Sequence, residues 1–139
     1  MIIMSVDLGA ARTGFAVSDS GEQFAFPRGI VKEYNREKLY DKIIEKAKEN
    51  NAEIIVLGLP KNMDGSLGFK AQESLDAKEA LERLCNIPFE LWDERCTTVS
   101  AHNSLQVNGI RAKNRKDIVD SVAATIILED YLRFRNSNK

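Results

Sequence analysis

The stretch Met1-Ile2-Ile3-Met4-Ser5-Val6-Asp7-Leu8-Gly9-Ala10 decides how the chain folds. Five of its first six residues are apolar, and the run passes directly into an acid and a glycine turn. A short apolar run of this kind predicts a strand buried on both faces. The glycine argues against a helix, which would have to break after two turns. Asp7 then lies where a central strand opens to solvent, the usual place for ligands in open α/β sheets. An Asp there can equally cap the strand end through local hydrogen bonds, so Asp7 alone leaves turn and site both open.

Working outward, Gly14 to Asp19 reads as a second strand, Ser20-Gly21 as a tight turn and Phe24 to Val31 as a third strand. Pro27 cannot donate to a ladder, which predicts a sheet edge or a bulge. Asn35 caps a helix from about Arg36 to Asn50, with Leu39, Ile43 and Ala47 on its apolar face and Tyr40 and Ile44 beside them. Glu53 to Leu59 is a second apolar strand, ended by Gly58 and Pro60. A polar loop, 61–68, leads to a helix from about Phe69 to Cys85 whose expected buried positions are Leu75, Ala77, Leu81 and Leu84. Ile87 to Trp92 is a short strand that delivers Asp93-Glu94-Arg95. Thr97 or Thr98 caps a helix to about Val107, closed by Gly109, and a last helix runs from Lys116 or Asp117 to Phe134 before a polar tail, 134–139. The order βββαβαβαα predicts one three-layer α/β domain over residues 1–139, with a mixed sheet whose later strands are parallel.

Composition excludes several classes. At 139 residues, 43% hydrophobic and 29% charged, the chain is ordinary for a soluble globular domain. No apolar run reaches membrane-span length and no basic leader is present, so the expectation is a cytoplasmic protein with no membrane partner. Cys85 and Cys96 are too few for a disulfide framework or a structural zinc site and are expected reduced. A net charge of −1 gives no global nucleic-acid signature, so any such partner needs a local basic patch.

Three acids stand out by the same strand-end logic: Asp7, the Asp93-Glu94 pair, and Asp120 in the first turns of the last helix. At about 100° per residue Asp120 falls beside Ala123, Ala124 and Ile127, partly toward the sheet. It can be a helix-dipole acid, as Asp117 already is, or a ligand. Converged carboxylates repel one another and persist mainly where a divalent cation holds them. Oxygen-only donors select Mg²⁺ or Mn²⁺, and two such ions roughly 4 Å apart can activate water against a phosphodiester. The lone His102 is expected to play a surface or packing role.

Between Gly109 and Lys116 the chain carries Arg111, Lys113, Arg115 and Lys116, either a solvated loop or a sequence-independent clamp on a phosphate backbone. Arg12 and Arg95 can meet phosphates too, or pair with the acids. From the residues alone this reaches metal-dependent phosphodiester or phosphoryl chemistry.

The motifs also carry a likeness. Asp7-Leu8-Gly9-Ala10-Ala11-Arg12-Thr13-Gly14-Phe15-Ala16-Val17-Ser18-Asp19 resembles the opening signature of the YqgF/RuvX family. Gly58-Leu59-Pro60 with Asn62 to Gly65, Asp93-Glu94-Arg95 with Thr97-Thr98, and Asp117 through Ala124 to Leu132 continue the pattern in order over nearly the whole chain. The resemblance implies a ribonuclease H-like fold with a mixed five-stranded sheet, and a cytoplasmic nuclease maturing the 5′ end of precursor 16S rRNA. Related members are described as Holliday-junction resolvases. Carried over by motif, Asp7, Glu94 and Asp120 are the catalytic and metal-holding acids, while strand alternation should turn Asp93 away from Glu94. Arg12, Arg95, Arg111, Lys113, Arg115 and Lys116 would position the backbone of the nucleic acid. Many ribonuclease H relatives place an acid where this chain has Gly58-Leu59-Pro60, so Glu94 must complete the site. Thr13 and Phe15 replace more usual aliphatic residues, a change expected to be tolerated as packing.

Two rivals share these residues. One is resolution of branched DNA, for which a symmetric dimer is favoured over the monomer or weak homodimer expected otherwise. The other is a non-catalytic binding factor on the ribosome or transcription machinery, indifferent to EDTA. Phosphotransfer of the actin-like kind needs two such domains and is set aside.

Overall fold

Ile3 to Asp7 forms β1 at the middle of a five-stranded sheet of order β3-β2-β1-β4-β5. A computed structural model describes residues 1–9, 11–60, 68–93 and 115–137, with the side chains of 115–121 left aside. The other elements are β2 (Arg12–Ser18), β3 (Ala25–Lys32), α1 (Arg36–Glu49), β4 (Ile54–Leu59), α2 (Phe69–Leu84), β5 (Phe89–Asp93) and α3 (Arg115–Ser137). β1 to β3 form an antiparallel meander, whereas β4 and β5 add parallel to β1. The mixed sheet expected from the order of elements is therefore present. The helix expected over 97–107 lies outside the described residues.

Alternation along β1 divides the molecule into two cores. Met4 and Val6 join Phe15, Val17, Ile55, Leu57 and Phe89 beneath α1 and α2. Ile3 joins Ala16, Ile54, Val56 and the α3 residues Ala124, Ile127, Leu128, Tyr131 and Leu132. Both faces of the central strands are thus covered, which is why their sequences read as unbroken apolar runs.

Pro27 satisfies both expectations placed on it. β3 is an edge strand, and its pairing slips between Gly14↔Ile30 and Ala16↔Pro27, leaving one extra residue on β3. Gly29 absorbs the bulge at φ +78°, a conformation other residues adopt at a cost. The β2–β3 turn is held by Asp19, whose carboxylate accepts from the backbone N–H groups of Phe24 and Gln23, both at 2.8 Å, and of Gly21 at 3.3 Å. These bonds, that of Phe24 foremost, hold its carboxyl below the usual carboxylate range.

Asn35 caps α1 as expected, its side chain accepting from the Lys38 N–H at 3.0 Å. Two helix expectations need correction. In α2 the buried stripe is Ala71, Ser74, Ala77 and Leu81, whereas Leu75 is half-buried and Leu84 is 54% exposed. Leu84 continues that stripe in angle, seven residues after Ala77, but as the helix's last residue it is left exposed. The last helix also continues through Ser137 instead of ending at Phe134. Arg135 pairs with Glu22 and the Asn136 amide donates to the Glu22 carbonyl at 3.0 Å, so tertiary bonds keep this polar stretch helical. Among the described residues no helix is long and apolar enough to cross a membrane.

Candidate nuclease site

The open edge of the sheet is where β1, β4 and β5 end, where β2 begins and where β3 returns. Asp7 closes β1 there, half-buried and paired in register with Gly14 of β2. Two residues on, the chain must turn back sharply. A Cβ on Gly9 would stand 2.1 Å from the Arg12 carbonyl oxygen, so only glycine permits this approach. The turn returns the chain as Arg12, which pairs directly with Lys32 of β3.

Side-chain alternation fixes which face each residue serves. Ile3 lies in the α3 core, and Ser5 faces the same way, its hydroxyl donating to the Ala124 carbonyl at 2.6 Å. Asp7, two residues further, belongs to that same α3 face. On β2, Ala16 faces α3, so Gly14 and Arg12 follow it, and Lys32 follows Arg12 across the ladder. One acid and two cations therefore share a face at one sheet edge. Lys32 escaped sequence reasoning, since only the pairing register puts it beside Arg12.

β5 behaves differently at its end. Phe89 and Leu91 pack with the α1/α2 core, and Trp92 packs against α3. Asp93 thus belongs to the face opposite Asp7, while its expected divergence from Glu94 lies outside the described residues. The intervening strand presents Gly58 opposite Trp92, without a side chain at that level.

α3 is tied to β1 at two points. The Arg135 guanidinium reaches the Met1 sulfur at 3.7 Å, and Ser5 meets Ala124, so the helix runs back along the strand. A further two strand residues, about 6.6 Å, match roughly four helical residues. That registers Asp7 with the turn holding Val119 and Asp120. Tyr131 donates to the Glu90 carboxylate and anchors α3 to β5. Burial, and then that carboxylate, push its phenol up to about 12, so it remains a neutral donor.

The Ser5 hydroxyl is buried and is the polar interruption in an otherwise apolar run. Ser5→Ala should lower stability by about 1 kcal/mol, read from the urea midpoint at unchanged slope. An unchanged midpoint would mean that this bond does not hold α3 on the sheet.

Glu94, Arg95, Arg111 and Lys113 lie outside the described residues, as do Cys96 and His102. Asp120, Arg115 and Lys116 fall within α3 on a stretch described by its backbone alone. Among the described residues no three metal-ligating side chains gather.

A sequence model of the RuvX family, described as Holliday junction resolvase, matches residues 1–134. This chain belongs to the RuvX family. Its similarity to single relatives spans nearly their whole length. A Clostridium botulinum protein named "Putative pre-16S rRNA nuclease" is 39% identical over 132 residues, 95% of this chain and 96% of that one. A Listeria monocytogenes protein of the same name is 38% identical over 138 residues, 98% and 100% of the two chains. The fold is that of more distant proteins as well. Thermus thermophilus RuvC, solved in complex with a Holliday junction substrate, superposes with TM-score 0.61 at 15% identity, covering 97% of this chain and 96% of that one. The fowlpox virus Holliday junction resolvase gives 0.56 at 14% identity, covering 96% and 99%. This chain thus has the ribonuclease H-like fold expected from the motifs.

Proposed function

We propose that this RuvX chain is a metal-dependent endonuclease that cleaves structured nucleic acid, with precursor 16S rRNA as its substrate. One observation carries the reading: the Ser5–Ala124 bond registers the strand end bearing Asp7 with the helical turn bearing Asp120. The bond sets the backbone of that helical stretch on the same side of the sheet as the strand end that carries Asp7. Arg12 and Lys32 flank that face from β2 and β3.

Asp7, Glu94 and Asp120 are the proposed catalytic acids, and they would hold Mg²⁺ or Mn²⁺. Carboxylate oxygens at an open sheet edge suit a hard cation, and Gly58 adds no side chain between β1 and β5 to compete for the space. Such an ion, when bound, supplies Lewis-acid stabilisation of charge at phosphorus and lowers the pKa of water. The remaining work falls to the chain itself. Arg12, Lys32, Arg95 and the cations at 111, 113, 115 and 116 neutralise successive phosphates, and the rigid β1–α3 register orients the reacting bond.

The name shared by the relatives at 36–39% identity favours precursor rRNA, within a cytoplasmic single-domain protein working on the ribosome's own precursors. The family description favours branched DNA as the second reading. Purified protein with Mg²⁺ or Mn²⁺ should cut a precursor rRNA fragment faster than a four-way DNA junction, and EDTA should stop it. Preference for the junction would transfer the assignment to branched DNA. Binding of either substrate with no cleavage under any metal would leave a binding factor and defeat the nuclease.

A further inference from the structure

Two aromatic side chains that the proposed chemistry leaves unused stand 81% exposed, Tyr34 and Phe69. Such exposure is a poor use of an aromatic ring in a domain whose other large apolar groups mostly fill two cores. Their placement gives it meaning. Tyr34 lies between the end of β3 and the start of α1, and Phe69 is the first residue of α2. β3 and β4 both run parallel to β1, so both chain segments emerge at the edge that Asp7 closes.

The two positions are also close to one another. Arg36 donates to Glu73 at 3.1 Å, bridging the first turn of α1 and the second turn of α2. Tyr34 is two residues before that arginine and Phe69 one helical turn before that glutamate. The local charge suits a polyanion. Exposed Lys38 and Lys70 lie in the first turns of these helices, the first turn of α2 carries no acid, and Glu33 and Glu73 are neutralised by Lys42 and Arg36. Only Glu37 opposes them in the first turn of α1.

We infer that Tyr34 and Phe69 form a stacking platform for unpaired bases, so that the enzyme engages a single-stranded stretch next to the phosphate it cuts. This rests on the nuclease reading above and narrows its substrate to nucleic acid with an unpaired flank. The geometry sets the spacing. Asp7 faces the α3 side of the sheet and the aromatics lie on the α1/α2 side, and crossing between those layers takes about 10 Å, or roughly two nucleotides. Stacking suits that position because every base has a π-face, so the platform holds the flank without reading its sequence.

The test separates stacking from catalysis by measuring binding in EDTA. A fluorescein-labelled single strand of about 12 nucleotides and a duplex of equal length are titrated with each protein, and anisotropy is read. Tyr34→Ala and Phe69→Ala should each weaken single-strand binding by about 5- to 150-fold and leave duplex binding within about twofold. Tyr34→Phe and Phe69→Tyr should bind like wild type, because they keep the ring. Both side chains are exposed, so equal melting temperatures are expected throughout. Single-strand affinity unchanged in both alanine variants overturns the platform, as does a loss shared equally by the duplex. If wild type cleaves while the alanine variants bind normally, the platform falls and the nuclease stands. If wild type never cleaves but the variants lose single-strand binding, the nuclease falls and the platform stands.

Discussion

Asp7→Asn should lower the cleavage rate by about 10³-fold or more while leaving the melting temperature within a degree or two of wild type. The rate follows from charge. Asn keeps the shape of Asp7 but removes the anionic oxygen offered to a hard cation, and such stabilisation of the transition state amounts to several kcal/mol. Each 1.4 kcal/mol is about tenfold in rate. The unchanged stability follows from position. Asp7 is the last residue of β1, half-buried, and belongs to neither apolar core. Asp93→Asn is the control, since that acid also ends a strand at this edge but on the α1/α2 side, and it should retain cleavage within severalfold. Single-turnover assays on both variants decide the matter. Near-wild-type turnover in Asp7→Asn, or equal losses in the two, would remove Asp7 from the chemistry.

Which of these features could be read without coordinates depended on whether the signal was local. The apolar run ending in Asp7 and Gly9 was sufficient for a buried central strand, because burial on both faces leaves no polar alternation to misread. Pro27 announced an edge or a bulge through its missing donor, and the chain uses both. Signals that depend on distant partners stayed hidden. The helical state of Arg135 to Ser137 rests on Glu22, more than a hundred positions away and itself held at φ +58° in the β2–β3 turn. Lys32 becomes a site residue only once β3 is registered on β2. In α2 the leucines mark the stripe but not its ends: Ala71 and Ser74 are buried at one end, where small residues let the helix lie close to its neighbours, while Leu84 at the other end is exposed. Ser5 was the one local clue left unused. A hydroxyl inside an apolar strand must find a buried partner, and that partner is the carbonyl that fixes α3 on the sheet.

The largest expected loss of stability is at Phe15, in the second strand of the opening motif. Phe15 is fully buried in the α1/α2 core with Leu39 and Ile43, and the Lys46 ammonium stands 5.8 Å over its ring. On its own strand it sits between Gly14 and Ala16, opposite the β3 bulge, where the slipped ladder gives the sheet less support. Phe15→Ala should therefore cost about 3–5 kcal/mol, the range for truncating a fully buried aromatic side chain. For a domain held by about 5–15 kcal/mol this removes a large share of the whole. Phe15→Leu, apolar and nearer in volume, should cost less than about 1.5 kcal/mol. Denaturant unfolding at equal slope reads both values. The same variants test the face assignment. Phe15 projects away from α3, so cleavage per folded molecule, measured in the cold where Phe15→Ala remains folded, should stay within a few-fold of wild type. Parallel losses of stability and turnover would mean that the two faces are coupled through β1 and β2, and that Asp7 depends on the core behind it as well as on the helix in front.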